Sequence, residues 1–374
     1  MSNAGEHDPY LNRQKIEELE SIRGLAALLV VFYHIPKWNS ILDIGIINNG
    51  YLMVELFFVL SGFVIYGAYA NKISTRKDLL RFQFLRFGRL YPVHLLFFLV
   101  FLFIELAKYL AQAKLGITSP NSQPFRENNL TAIIEQIFLV QAVGPTKNAT
   151  TFNGPAWSIS VEFYTYLFFG ISILLAAKIK DIWFTVVAVS SVILLGTQTT
   201  FGFEFLLRCL AGFFIGCLTA VATKQFKLNV SRYASLLVLA SIILFLQFKT
   251  SNQYDLTIFF LTAALIASIV LSKNGYLNNF LNLKILTWLG SVSYALYMSH
   301  ITIIWLFNQF IRVILKKPEI VINGKSVPQL SNIETIIVWL ILTITALTVS
   351  TFVYRFIEKP MRAKSREFAF SRLI

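Results

Sequence analysis

Ten apolar stretches, each close to the length needed to cross a lipid bilayer, constrain the fold of this sequence more than any other feature. Backbone amides inside hydrocarbon must be hydrogen-bonded within their own segment, so such stretches are predicted to be α-helices. The sequence is 56% hydrophobic and only 14% charged, unlike a soluble domain. We therefore predict an all-α fold, a polytopic membrane bundle of about ten transmembrane helices. The stretches lie at about 22–38, 51–70, 91–113, 156–178, 182–198, 203–223, 233–248, 255–272, 288–315 and 333–356.

The basic residues indicate how this bundle is oriented. Lys and Arg are concentrated in a predicted loop at about 72–89, in alternate loops after it, and beyond residue 354. Basic loops face the cytoplasm, so both termini are predicted to be cytoplasmic, and only the basic loop at 316–332 departs from this pattern. The net charge of +14 is explained by topology and anionic headgroups, and no nucleic-acid partner is expected.

One membrane domain, at residues 19–362, is expected between cytoplasmic tails at 1–18 and 363–374. Residues 1–5 resemble a cloning remnant and carry no fold information. The polar segment 114–155 is the longest connection, and we interpret it as a lid over a binding site or as part of one. No metal-ligand spacing and no glycine-rich phosphate loop occur, so no metal is expected.

Arg23 and His34 share one face of the first stretch. Eleven positions separate them, which is close to three helical turns and roughly 16 Å along the axis. A guanidinium would therefore lie near one membrane surface and a titratable imidazole well inside. Snorkelling of Arg23 to headgroups and capping of a helix end by His34 are the alternative interpretation.

Charged groups in or beside other stretches are further candidates, because they are costly in a membrane. Glu55 opens the second stretch, where it is either functional or ion-paired with an arginine. Arg86 and Arg89 share a helix face, which suits a phosphate group, although topology alone also explains them. Glu162 could pair with a base, accept from a sugar hydroxyl or be a structural partner of Arg208. Glu204, one turn before Arg208, is the alternative partner of that arginine.

Aromatic and hydroxyl side chains extend this set of candidates. Trp157, Ser158 and Ser160 open the fourth stretch near the predicted outer surface. Tyr294 and Tyr297 share a face of the ninth stretch, and His300 continues close to it. Such a polar stripe is typical of a cavity lining, and interhelical hydrogen bonds are the alternative.

Together these segments resemble the acyltransferase-3 family of integral membrane acyltransferases, which O-acylate sugars of polysaccharides and lipopolysaccharides. The likeness runs from Leu19 to about Arg362. Two departures stand out: Glu55 occupies a position that is commonly Asp, and no fused SGNH domain follows before Ile374, so a second transfer step would need another protein. The resemblance rests on Arg23 and His34 with ten residues between them, Glu55–Phe63, Arg86–Pro92, Trp157–Glu162, Ser293–Tyr297 with His300, and Phe356–Pro360.

The resemblance implies transfer of an acyl group, acetyl in the first instance, from cytoplasmic acyl-CoA to a hydroxyl of a cell-surface glycan or glycolipid, in a bacterial inner membrane. Arg23, Arg86 and Arg89 would bind the CoA phosphates. His34 would be the general base, oriented by Glu162 or Glu55. Trp157, Ser158, Ser160, Tyr294, Tyr297 and His300 would contact substrate.

A transporter or flippase without covalent chemistry is the alternative function, because ten spans with buried charges also describe secondary transporters. In that case His34 would relay protons, and no CoA would be released. An inert scaffold does not explain why Arg23 and His34 share a face. The sequence leaves the acceptor, the acyl chain length, covalent or direct transfer, and the oligomeric state open.

Overall fold

The computed structural model describes residues 16–119, 121–226, 230–272, 275–322 and 324–371, and it is a helical bundle. Most of the predicted N-terminal tail, including residues 1–5, and the last three residues of the predicted C-terminal tail lie outside the described residues. The helices are α1 (Glu17–His34), α2 (Gly45–Asn48), α3 (Met53–Tyr69), α4 (Arg76–Leu115), α5 (Leu130–Phe138), α6 (Trp157–Ala176), α7 (Lys180–Gly196), α8 (Glu204–Gln225), α9 (Ala234–Phe248), α10 (Thr257–Leu271), α11 (Tyr276–Leu281), α12 (Lys284–Gln309), α13 (Asn332–Val353) and α14 (Lys359–Ser371). Short π-helical segments at Phe310–Ile314 and Tyr354–Glu358 extend α12 and α13.

The prediction of an all-α polytopic membrane fold is confirmed. In the described part of the chain, seven helical segments are long and apolar enough to cross a membrane. Every predicted stretch coincides with a helix, but α1 carries four charged residues within its first seven positions, and α9 has only 15 residues. The count of ten spans and the placement of the termini therefore stay predictions. The seven segments are Gly50–Tyr69, Arg76–Leu115, Gly154–Ala176, Glu204–Gln225, Asn252–Leu271, Lys284–Ile314 and Asn332–Ser371.

Two connections are more regular than the sequence indicated. The basic residues expected in a loop at 72–89 belong mainly to α4, whose 40 residues begin directly after Thr75. A reciprocal capping box between Thr75 and Asp78 starts this helix before the apolar stretch begins. The basic connection near residue 320 contains an antiparallel hairpin of strands β1 (Glu319–Ile322) and β2 (Lys325–Pro328).

Close backbone contact between α1 and α12 sets the position of the candidate site. A Cβ atom on Gly24 would lie 2.6 Å from the backbone nitrogen of Gly290, and one on Gly290 would lie 2.2 Å from the carbonyl oxygen of Glu20. Only glycine permits this approach, as at other membrane helix interfaces. Ten residues beyond each glycine lie His34 and His300. Equal rise along two parallel helices therefore brings the imidazoles together.

Candidate functional site

Helix α1 contributes to two separate cavities. Arg23 lines the first, which we call the Arg23 cavity, and His34 lines the second, the His34 cavity. The helix separates the two side chains by roughly 16 Å, from its rise of about 1.5 Å per residue. The two residues singled out on this helix thus lie in cavity walls, one in each cavity.

The Arg23 cavity is narrow, with a volume of about 80 Å³. The charged residues in its lining are Glu20, Arg23, Arg89 and Glu162. Most of the remaining lining is apolar, with hydroxyl groups at the serine and tyrosine positions. A cavity of this composition suits a ligand with a charged head and a slender, weakly polar tail. The other lining side chains include Val54, Phe57, Phe58, Leu60, Ser61, Ser158, Tyr294 and Tyr297.

The charges in this lining balance. Arg23 Nη1 lies 3.5 Å from Glu20 Oε1, and Glu162 Oε1 accepts a 2.5 Å hydrogen bond from the Tyr166 hydroxyl. Arg89 is close enough to Glu20 and Glu162 for electrostatic interaction with both. A phosphate ligand would therefore have to displace these carboxylates from the two guanidinium groups.

Two tyrosines of α12 are held firmly in the wall of the Arg23 cavity. The Tyr294 hydroxyl donates a 2.5 Å hydrogen bond to the carbonyl oxygen of Leu90 on α4. The Tyr297 hydroxyl lies 2.8 Å from Ser158 Oγ and 3.0 Å from the carbonyl oxygen of Pro155. Both rings therefore tie α12 to neighbouring elements while still lining the cavity.

His34 and His300 form a pair of imidazoles. His34 Nδ1 lies 2.9 Å from the carbonyl oxygen of Val30, and 3.3 Å from His300 Nε2. A carbonyl oxygen only accepts, so His34 Nδ1 carries the proton, and in the neutral ring Nε2 keeps the free electron pair. His300 is fully buried, contacts His34 and does not line the cavity. This arrangement fixes the tautomer that a base acting through Nε2 requires.

A chain of rings lies between the two cavities. Phe57 and Tyr297 line the Arg23 cavity, with their ring centroids 5.8 Å apart. The Tyr297 ring lies 5.9 Å from that of His300, which in turn lies 4.9 Å from that of His34. Contacts between aromatic rings therefore run from the wall of the Arg23 cavity to His34 in the wall of the other.

The His34 cavity is larger and polar, with a volume of about 660 Å³. Its walls come from the end of α1, the far end of α12, the loop near residue 120 and the β-hairpin. Asn121 joins that loop to the hairpin, because its side chain donates to the carbonyl oxygen of Ser326 at 3.1 Å and accepts from the Ser326 backbone nitrogen at 2.8 Å. The cavity is thus built by four chain segments from three separate regions of the sequence.

Glu55 lies away from both cavities. It is buried and forms an ion pair with Arg208 of α8, whose Nε donates to Glu55 Oε1 at 2.6 Å. The guanidinium group of Arg208 also lies over the Trp157 ring, 4.9 Å from its centroid. This cluster joins α3, α6 and α8, and neither Glu55 nor Glu162 contacts His34.

The twelve candidate residues divide into three groups. The Arg23 cavity collects Arg23, Arg89, Ser158, Glu162, Tyr294 and Tyr297, and His34 lines the other cavity. Glu55, Arg86, Trp157, Ser160 and His300 line neither. Arg86 donates to the Tyr69 hydroxyl at 3.0 Å and lies over aromatic rings, and Ser160 donates to the carbonyl oxygen of Leu139 at 2.6 Å. These two side chains already have partners within the protein.

Sequence reasoning missed one ion-pair partner and several residues of the His34 cavity. The partner of Arg208 is Glu55, whereas the sequence suggested Glu204 or Glu162. The contributions of Trp305 and of Lys325 in the hairpin to the His34 cavity were not expected. The sequence did mark Lys325 in one way, because it lies in the basic loop at 316–332, which departs from the pattern that predicted cytoplasmic termini.

The fold and this site define a multi-pass membrane protein with charged groups buried among its helices. The chain belongs to the acyltransferase-3 family of membrane acyltransferases, since the family described as "Acyltransferase domain" matches residues 16–355. The family assignment made from the motifs is therefore confirmed.

Curated relatives agree with this assignment. The chain is 25% identical to the "Putative peptidoglycan O-acetyltransferase YrhL" of Bacillus subtilis, over 96% of this chain and 56% of that protein. It is 24% identical to the "Peptidoglycan O-acetyltransferase OatA" of Listeria monocytogenes, over 81% of this chain and 51% of that protein. It is 27% identical to the "Acyltransferase MdmB" of Streptomyces mycarofaciens, over 48% and 45% respectively. The chain spans about half the length of these relatives, and no solved structure matches it.

Proposed function

We propose that this protein transfers an acyl group, acetyl in the first instance, from cytoplasmic acyl-CoA to a hydroxyl of a cell-envelope glycan. The observation that carries the proposal is the placement of Arg23 and His34 in two cavities that a chain of ring contacts links. A donor and an acceptor from opposite sides of a membrane need such an arrangement. The names of the relatives support an O-acetyl transfer and suggest peptidoglycan as the kind of acceptor.

The donor would enter the Arg23 cavity. Arg23 and Arg89 would exchange their carboxylate neighbours for the phosphates of CoA, which form charge-assisted hydrogen bonds with guanidinium groups. The pantetheine arm would then extend along the apolar lining towards Tyr297. The fit is one of chemistry: two cations lie beside a mainly apolar lining, and the cavity of about 80 Å³ would have to widen to admit the arm. Arg86 would support the aromatic wall rather than bind phosphate.

The acceptor would enter the His34 cavity, with its hydroxyl at His34 Nε2. Rotation of Phe57 and of Tyr297, which would first have to break the hydrogen bonds of Tyr297 to Ser158 and Pro155, would let the thioester reach this hydroxyl. His34 would take the hydroxyl proton as the oxygen forms a bond with the thioester carbonyl carbon. The C–S bond then breaks, and the protonated imidazole returns the proton to the CoA thiolate. His300 would position His34, and Glu162 would act on the donor side.

The acyltransferase domain would occupy residues 19–362, with both tails cytoplasmic, in the cytoplasmic membrane of a bacterium. The parallel contact of α1 with α12 agrees with the order of the spans, because the first and ninth of ten alternating spans cross in the same direction. Glu55 would act through its ion pair with Arg208, as a structural group.

Release of free CoA from acetyl-CoA by the purified full chain tests the proposal. We expect release that depends on added peptidoglycan fragments, is abolished by His34→Ala and is weakened by Arg23→Gln in a way that high acetyl-CoA restores. Arg232→Gln is the matched control, because Arg232 is exposed and lies in neither cavity. A well-folded protein that neither binds nor consumes acyl-CoA would refute the enzyme proposal and favour transport.

A further inference from the structure

The charges around the His34 cavity point to one class of acceptor. Three cationic side chains line it, Lys37, Arg312 and Lys325. In the part of the chain that the structure describes, this lining contains no Asp or Glu. The positive side chains belong to three different segments: the loop after α1, the π-helical end of α12, and β2.

Two of these cations are neutralised by carboxylates outside the lining. Lys37 Nζ lies 2.7 Å from Asp43 Oδ1, and Arg312 Nε lies 2.5 Å from Glu319 Oε1. Hydrogen bonds from Ser326 and Arg312 hold the pKa of Glu319 below its usual range, so this carboxylate is ionised at neutral pH. The contact of Lys37 has the same effect on the pKa of Asp43.

Lys325 differs from the other two cations. It is exposed and forms no ion pair with any described residue, so it is the cation of this lining that has no carboxylate partner. Lys325 stands at the first position of β2, paired with Ile322 of β1, and both residues line the cavity. The hairpin, which Asn121 fastens to the neighbouring loop, therefore presents this ammonium group on a fixed scaffold.

The rest of the lining suits a sugar. Amide and hydroxyl groups of Asn121, Asn308, Gln309 and Ser122 offer donors and acceptors for hydroxyls, and Trp305 offers an aromatic face for an apolar sugar face. The volume of about 660 Å³ falls in the range typical of small-molecule sites, roughly 300–1,000 Å³.

We propose that the His34 cavity binds a sugar that carries a negative charge, a carboxylate or a phosphate, with the charge at Lys325 and a hydroxyl at His34. This inference rests on the proposed function for the identity of the acceptor, but it makes its own claim about binding. A neutral sugar of the same size would bind more weakly, because it would form no ion pair with the Lys325 ammonium group.

Direct binding of three disaccharides to the purified full chain tests this proposal, without any acyl donor. The probes are a neutral glucose disaccharide, its uronic-acid counterpart and its phosphorylated counterpart, measured by calorimetry at low and high salt. We expect at least one charged sugar to bind roughly fivefold more tightly than the neutral one, with a preference that high salt removes. The two charged probes distinguish a carboxylate ligand from a phosphate ligand.

Three variants give the test its specificity. Lys325→Gln should abolish the preference for charge and leave binding of the neutral sugar unchanged. Lys316→Gln is the matched control, because Lys316 is an exposed lysine of the same connection that does not line the cavity. Glu319→Gln should strengthen binding of the charged sugar, because it releases Arg312 from its carboxylate partner.

Equal binding of charged and neutral sugars, equal effects of Lys325→Gln and Lys316→Gln, or no measurable binding of any probe would overturn the proposal. The result for sugar binding can be distinguished from the result for acyl transfer. A charge preference without CoA release removes the transferase and keeps the anionic site. Equal CoA release with neutral and charged acceptors keeps the transferase and removes the anionic site.

Discussion

Replacement of His34 by alanine should reduce acyl transfer far more than replacement of His300, although the two rings touch. General base catalysis contributes about 10²–10⁴-fold to a rate, which corresponds to ~2.7–5.4 kcal/mol of transition-state free energy. His34→Ala removes the only imidazole that lines a described cavity, so its kcat should fall by about that factor.

The expected loss of kcat on replacement of His300 follows from the contacts of this residue. His300 Nε2 lies 3.3 Å from His34 Nδ1, but the Val30 carbonyl oxygen is closer, at 2.9 Å, and backbone remains in any side-chain variant. Loss of one hydrogen bond of about 0.5–1.5 kcal/mol lowers the population of correctly oriented His34 by roughly 2–12-fold. His300→Leu, which is similar in volume and lacks ring nitrogens, should therefore lower kcat by about tenfold at most.

Steady-state CoA release at saturating acetyl-CoA measures both values, and thermal unfolding of the solubilised protein shows whether each variant is folded. Two results would refute this reasoning. One is a folded His34→Ala variant that keeps more than about a tenth of the wild-type kcat. The other is a folded His300→Leu variant as inactive as His34→Ala, which would place His300 in the chemistry itself.

Three further predictions concern the packing and charge of the bundle. Gly24→Ala puts a Cβ atom 2.6 Å from the backbone of α12, so the unfolding free energy in detergent should fall by about 1–3 kcal/mol. Gly196→Ala is the control: its Cβ atom would lie 3.6 Å from the nearest neighbour, so the same free energy should stay unchanged. Arg208→Ala should cost about 3–5 kcal/mol of the same free energy, because it leaves the Glu55 carboxylate buried without its cation; an unchanged melting temperature would contradict this. Arg89→Gln should raise the KM for acetyl-CoA roughly tenfold with little change in kcat, and a pure kcat effect would contradict its role in phosphate binding.

The sequence by itself determined the helices and much of the chemistry on them. Hydrocarbon forces apolar stretches to satisfy their own amides, so the helical class followed from composition and length. The relation between Arg23 and His34 was equally predictable, because the rise and period of one α-helix fix both their distance and their shared face. Arg23 and His34 line two cavities, as two side chains three turns apart on one helix can.

Tertiary structure decided which helices meet, and therefore the partners of each polar group. Glu55 pairs with Arg208, 153 positions away, and not with a base, and Arg208 pairs with Glu55 although Glu204 lies only four positions from it in the sequence. His34 meets His300 because two glycines let α1 and α12 touch at equal distances from each imidazole. No local pattern encodes such a match: it depends on shape complementarity between surfaces distant in sequence, as do the walls of the cavity that holds Lys325.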